Sequence, residues 1–312
     1  MLRSLYSGIS GMKNFQTKLD VIGNNIANVN TYGFKKSRTT FSDLVNQQVA
    51  GAAGATNATA GTNPQQVGLG SSISSIDTIH TTGSMQTTSR TLDLALAGDG
   101  FFPVGTFKQG YNLAGVSAND NQIAGPIEET IDLNYTRSGN LYLDDQGYIV
   151  TADGMYLIGE TGTKIDENTF GTSPNGNSGL IQIPLTAQSF SISQDGTVSF
   201  VNEAGDLNVA GRILLAKFAN DGGLSKVGGN LYKESSNSGK VDTDGDGITL
   251  ADFSIAGENG TSSIISGALE MSNVDLSEEF TEMIVAQRGF QSNTKIITTS
   301  DEILQELMGL KR

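Results

Sequence analysis

Apolar residues return every three or four positions over residues 2–29, at Leu5, Ile9, Met12, Phe15, Leu19, Ile22, Ile26 and Val29. That is the period of one face of an α-helix. Residues 276–308 repeat it, with Leu276, Phe280, Met283, Phe290, Ile297, Leu304 and Met308 on an alternation of four and three. The spacing predicts one helix over about Ser4–Ala27, stopped by Asn28, Asn30 and Gly33, and another from Asn273 or Asp275 to about Met308. Ser272 and Asn273 are available to cap the second, and acids fill its first turn. Gly8, Gly11 and Gly23 each cost the first helix about 0.8–1 kcal/mol relative to Ala, so its order should come from packing. One stripe at each end, with no helical partner between, predicts that the stripes pack on each other or on neighbouring copies. Leu5, Ile9, Met12, Leu19 and Ile22 would then meet Leu276, Phe280, Met283, Phe290, Ile297 and Leu304. Such a chain reads as an assembling subunit rather than an enzyme.

Between the stripes the period shortens to two. Thr91–Leu96 alternates before a Gly98-Asp99-Gly100 turn, and residues 141–150 and 190–200 read as hairpins, the latter around Asp195-Gly196. Ile213–Phe218 is apolar except for Lys217 and reads as a further, more buried strand. No strand–helix–strand rhythm appears, which excludes a parallel nucleotide-binding sheet. The predicted class is α+β: terminal helices pairing as a coiled-coil-like inner domain, with a mainly antiparallel β central domain. The inner domain comprises residues 1–34 and 269–312, a connecting arm 35–69, and the β-domain 70–268, with loop-rich insertions at 105–128 and 159–178. Within the arm, residues 49–66 are small and uncharged, as in a linker or extended surface segment.

Composition narrows the chemistry. The 312 residues include no Cys, no Trp and one His, which removes disulfides, thiolate sites and multi-histidine metal centres. His80 sits at a strand-to-turn boundary and reads as structural. A net charge of −14 argues against nucleic-acid binding. No stretch reaches the roughly 18 apolar residues of a membrane span, and the N-terminus has no secretory apolar core, so if the chain leaves the cytoplasm the expectation is passage without a conventional signal peptide. Residues 1–38 carry six basic residues against one acid, whereas residues 269–312 carry eight acids against four basic residues. Opposite signs on the two arms favour their pairing and help fix its register.

Asp20–Lys35 (DVIGNNIANVNTYGFK) closely resembles the N-terminal signature of bacterial flagellar rod and hook proteins. Gly267–Leu276 (GALEMSNVDL) and Val285–Gln291 (VAQRGFQ) resemble the matching C-terminal signature, with shorter echoes in Leu92–Val104 and Gly229–Tyr232. Within the family, Val274–Phe280 and Ile284–Arg288 are more similar to hook subunits, and the middle is longer than a rod subunit needs; the distal rod remains the alternative. The resemblance implies a homopolymeric helical tube lined by the terminal helices. In the hook this tube is a flexible coupling that passes torque to the filament. The implied partners are rod, hook-cap and hook–filament junction proteins and the type III export apparatus, placing the chain outside the cell in the flagellum. Asn24, Asn25, Asn28, Tyr32, Gly33 and Phe34 would shape the junction between helix and β-domain. Phe41 and Val45 resemble the family's export-gate motif, an aromatic followed four residues later by an aliphatic.

Asp242-Thr243-Asp244-Gly245-Asp246-Gly247 matches the first half of an EF-hand loop, but position 12 is Phe253 rather than Glu. Weak calcium binding through Asp242, Asp244 and Asp246 competes with the simpler reading, an acidic turn. Otherwise no cofactor is expected. No Gly-x-Ser-x-Gly elbow, P-loop or dinucleotide fingerprint supports an enzyme, and an exported capping protein or adhesin is the remaining rival.

Overall fold

A computed structural model describes residues 2–54, 60–113, 121–123, 125–166, 169–239, 241 and 247–309. The chain divides into two compact units, both discontinuous in sequence. The first takes Met1–Val29, Lys36–Ile79 and Val274–Arg312; the second takes Asn30–Lys35 and His80–Asn273.

The first unit is built on α1 (Leu2–Ala27) and α2 (Leu276–Gly309). After α1, the Asn28 amide turns back to donate to the Asn24 carbonyl at 2.9 Å. Asp275, rather than Ser272 or Asn273, caps α2: its Oδ1 accepts the Ser277 N–H at 2.8 Å. A carboxylate there also suits the positive end of the helix dipole. Ser37–Asp43 pairs antiparallel with Ser71–Thr78, and the ribbon continues as Asn46–Ala50 against Gln65–Gly68. Residues 35–69, read from composition as a connecting arm, therefore contain much of a β-ribbon. Residues 44–76 carry no charge, and both distal strands are exposed throughout. Backbone pairing rather than burial holds the described part of this ribbon, and small residues supply it as well as any other.

The second unit centres on a twelve-stranded sheet. Its main path runs Ser189–Ile192, Thr197–Val201, Leu207–Leu215, Tyr156–Asp166, Phe102–Phe107, Ile131–Thr136, Leu231–Lys233 and Ser225–Gly228, with antiparallel neighbours throughout. Successive residues enter opposite cores. Phe102, Leu157, Ile213 and Leu215 lie in one apolar cluster, while Phe101, Ile158, Leu214 and Ala216 lie in the other. Burial on both faces explains why residues 213–216 are apolar without alternation. Both predicted hairpins form, with Gly147 (φ +83°) and Gly196 (φ +83°) at their turns. The observed architecture is α+β with a mainly antiparallel centre.

Among the described residues, 159–178 form strands rather than a loop-rich insertion. Tyr156–Asp166 and Thr169–Leu180 are long strands paired with each other, and the first also pairs with Leu207–Leu215. The glycines that imitate a loop are there for close backbone approach. A Cβ on Gly159 would lie 2.4 Å from the Arg212 carbonyl oxygen, and one on Gly162 would lie 2.3 Å from that of Val209. At the other expected insertion, Phe102–Phe107 carries the sheet past residue 105, and Ile127–Thr130 is a single helical turn. Asp242, Asp244 and Asp246 lie outside the described residues. Their neighbour Asp252 accepts from the Thr249 N–H at 2.9 Å and from its hydroxyl at 3.2 Å, capping the turn Leu250–Asp252.

Candidate functional site

α1 and α2 run antiparallel. Gly8 lies beside Ile297, Gly11 beside Asn293 and Phe15 beside Gly289, while Asn25 reaches Glu279 and Lys18 pairs with Glu282. On α2, the buried residues Glu279, Ala286 and Ser300 fall on one heptad position together with Asn293. They alternate with the half-buried Met283, Phe290, Ile297 and Leu304. One position per heptad is therefore apolar and the other small or polar. On α1, Leu5, Met12 and Leu19 are half-buried, Ile22 is buried, and Met12 Sδ accepts the Thr294 hydroxyl at 3.7 Å.

Three of the residues predicted to pair across the two stripes are not brought into the seam. Ile9, Leu276 and Phe280 are 47%, 39% and 50% exposed. Hydrophobicity alone selects Phe280, one place from the true seam residue Glu279, because an alternation of three and four can be read in two frames. What fixes the frame is closeness of approach, through Gly8, Gly11 and Gly289. Their positions opposite larger side chains were the overlooked signal. Exposed apolar residues also continue along α2 as Ile284, Val285, Ile296, Ile303, Leu307 and Met308.

Asn25 brackets three elements of this unit. Its amide exchanges hydrogen bonds with the Ser37 backbone, at 2.9 and 3.0 Å, and donates to Glu279 at 3.2 Å. Burial pushes the Glu279 carboxyl up, with the Asn25 hydrogen bond opposing. Beside this bracket is a cavity of about 250 Å³ where Lys18, Lys36 and Arg38 face Glu278, Glu279 and Glu282. Lys36 meets Glu278 at 2.6 Å. Cations and carboxylates are balanced here, which suits a fixed helix–ribbon joint rather than proton transfer. Asn24 and Asn28 close the end of α1 upon each other. Phe41 packs its ring 6.0 Å from that of Phe15, and Val45 is exposed.

The rest of the N-terminal signature belongs to the second unit. Gly33 has φ +69°, and its N–H donates to the Glu270 carbonyl at 2.9 Å. A Cβ there would sit 2.7 Å from the Ser138 nitrogen. The Tyr32 carbonyl accepts from Asn230 at 2.9 Å, and Lys226 stands 5.0 Å above the Phe34 ring. Lys35 follows, fully buried. Its Nζ donates to Glu270 Oε1 at 2.6 Å and to the Thr81 carbonyl at 2.8 Å. Burial holds the Lys35 ammonium below its usual pKa, with Glu270 opposing. Glu270 Oε1 also accepts the Gly83 N–H at 2.9 Å, and Glu270 Oε2 lies 3.5 Å from Arg137 Nη1. This triad was not singled out from sequence, because partners so far apart along the chain share no local pattern.

His80 stands edge-on to Phe101 and Tyr232, with ring centroids 5.6 and 5.4 Å away. Burial, then the charges of Lys35, Arg137 and Lys226, lower its pKa from 6.5 to about 4. The unfolded chain therefore binds this proton more readily than the folded one, and stability falls as pH drops below 6.5 until the loss levels off near 4. The loss should reach about 3 kcal/mol. Urea unfolding across that range measures it, and His80→Phe should flatten the slope.

Three family models match the chain in turn. The flagella basal body rod protein model covers residues 5–35, the flagellar hook protein FlgE/F/G D1 domain covers 122–200, and the flagellar basal body rod FlgEFG protein C-terminal model covers 265–310. The flagellar basal-body rod protein FlgG of Bacillus subtilis (strain 168) is 54% identical over 312 residues, covering all of both chains. Two proteins of Borreliella burgdorferi allow a comparison within one organism. Its flagellar basal-body rod protein FlgG is 34% identical over 319 positions, and its flagellar hook protein FlgE is 31% identical over 454, each covering all of both chains. With signatures at both termini meeting in defined structure and end-to-end similarity to these relatives, the chain belongs to the flagellar rod and hook family of structural proteins, which are not enzymes.

Proposed function

We propose that this chain is a distal-rod subunit, one copy of a straight helical tube that carries torque outward through the flagellar base. The observation that carries this reading is 54% identity to a rod protein over both full lengths. Alignment with the hook protein instead stretches to 454 positions for the same 312 residues, the excess being sequence this chain lacks. That difference favours the rod over the hook reading drawn from residues 274–288 and from the length of the middle. Assembly is supported by the exposed apolar residues of α2, which a lone subunit would leave in water. In this reading the terminal helices line an axial channel. Subunits leave through the type III export apparatus without signal cleavage, with Phe41 and Val45 as the gate motif, and neighbouring rod and hook proteins are the partners.

Expression in Bacillus subtilis strains lacking either the rod protein or the hook protein tests the assignment. Rescue of swimming in the rod-deficient strain alone supports it, and rescue of the hook-deficient strain alone overturns it. Electron microscopy of tubes grown from purified protein gives a second readout: straight, stiff tubes are expected, whereas curved ones would restore the hook reading.

A further inference from the structure

The strand-rich unit contains two Asn-Gly dipeptides among the described residues, Asn175-Gly176 and Asn259-Gly260. In such a pair the glycine nitrogen can attack the asparagine side-chain carbonyl, since glycine has no side chain to hinder the approach. The rate depends on how free that nitrogen is and how readily it loses its proton.

The two sites differ on both counts. The Gly176 N–H donates to Glu160 Oε1 at 2.9 Å. This bond occupies the nitrogen's hydrogen, and the adjacent negative charge opposes formation of a nitrogen anion. Among the described residues, the Gly260 N–H and the Asn259 side chain make no hydrogen bond. Lys217 Nζ instead donates to the carbonyl oxygens of Asn259 and Gly260, both at 3.2 Å. The Asn259 carbonyl and the Gly260 nitrogen belong to one amide, so the ammonium withdraws charge from that amide and eases loss of the N–H proton. The turn is exposed, and water reaches it.

We propose that Asn259 is a self-modification site of this chain, activated by Lys217. Gly260 N bonds to Asn259 Cγ, the Cγ–Nδ2 bond breaks, and ammonia departs with the proton given up by Gly260. Water then opens the cyclic imide at either carbonyl, leaving aspartate or an isoaspartyl linkage that adds one carbon to the main chain. The added carbon falls in a tight turn where the Thr261 N–H donates to the Glu258 carbonyl at 2.8 Å and the Ser262 N–H to that of Asp99 at 2.9 Å. The modification would therefore loosen the approach to the strand Ile264–Ser266 as the protein ages.

The test is ageing of the purified full-length chain in mildly alkaline buffer, followed by peptide mapping by mass spectrometry and methylation with a protein isoaspartyl methyltransferase. Asn259 should convert severalfold faster than Asn175. Lys217→Met should slow Asn259 severalfold and leave Asn175 unchanged, and Glu160→Gln should speed Asn175 alone. Asn175 serves as the internal control for folding, because an unfolded variant would accelerate there as well. Equal rates at the two sites in the natural chain, or an Asn259 rate unmoved by Lys217→Met, would overturn the proposal.

Discussion

Glu270→Ala should destabilise the strand-rich unit by about 3–5 kcal/mol, the range for removing one partner of a buried ion pair. The carboxylate serves three groups: Lys35 Nζ at 2.6 Å, the Gly83 N–H at 2.9 Å and, at 3.5 Å, Arg137 Nη1. The Lys35, Arg137 and Glu270 side chains are all 0% exposed. Without Glu270, two cations remain in a dry interior. Arg137 then keeps the Gly98 carbonyl at 2.7 Å and the face of Phe101 at 5.1 Å. Neither neutralises its charge. Lys35→Met should cost less, because its apolar stem stays packed and Glu270 keeps the Gly83 N–H and Arg137.

A simple ion pair recovers when both partners become apolar. This triad should not. Lys35→Met with Glu270→Leu leaves Arg137 uncompensated and should stay well below the natural chain, and adding Arg137→Met should restore much of the loss. Urea unfolding read by circular dichroism decides the matter, since the chain has no Trp to report by fluorescence. A double variant as stable as the natural chain would show that Arg137 stands outside the network. The triad also gives a physical reason for signatures at both termini. Lys35 belongs to one and Glu270 to the other, 235 residues apart.

Local periodicity made the helices and hairpins legible. Leu5 to Val29 and Leu276 to Met308 announce helices because a buried face recurs with the helical turn, and Asp195-Gly196 announces a turn because it fits the required backbone. Features that depend on distance between backbones were not legible. Gly159 and Gly162 look like loop residues, and Phe280 looks like a better seam residue than Glu279, because composition records hydrophobicity and not clearance. The Asn25–Ser37–Glu279 bracket and the Lys35–Glu270–Arg137 triad were equally silent. A polar residue destined for a remote partner looks in sequence like one destined for water. The lean toward the hook has a related cause: the short motifs are shared by both subunits, and the length of the middle has no scale until it is set against a rod and a hook relative.

Closeness of approach also sets the second large effect, at Gly289. On an isolated helix, Gly→Ala would stabilise by about 1 kcal/mol. Here a Cβ would lie 2.6–2.9 Å from three ring atoms of Phe15. The ring has little room to withdraw, with Phe41 6.0 Å away on another element. Overpacking of this kind costs about 1–3 kcal/mol, which offsets the propensity gain and leaves a net loss of up to about 2 kcal/mol in the helix pair. Since α1 and α2 are the proposed polymerising elements, each 1.4 kcal/mol lost should raise the critical concentration for tube growth about tenfold. Phe15→Leu should relieve Gly289→Ala by removing the ring, so the double variant should grow tubes better than Gly289→Ala alone. Sedimentation of tubes over a concentration series measures all four combinations. Gly289→Ala tubes that form at or below the natural concentration would show that helix propensity outweighs the contact with Phe15, and that the seam is looser than these distances imply.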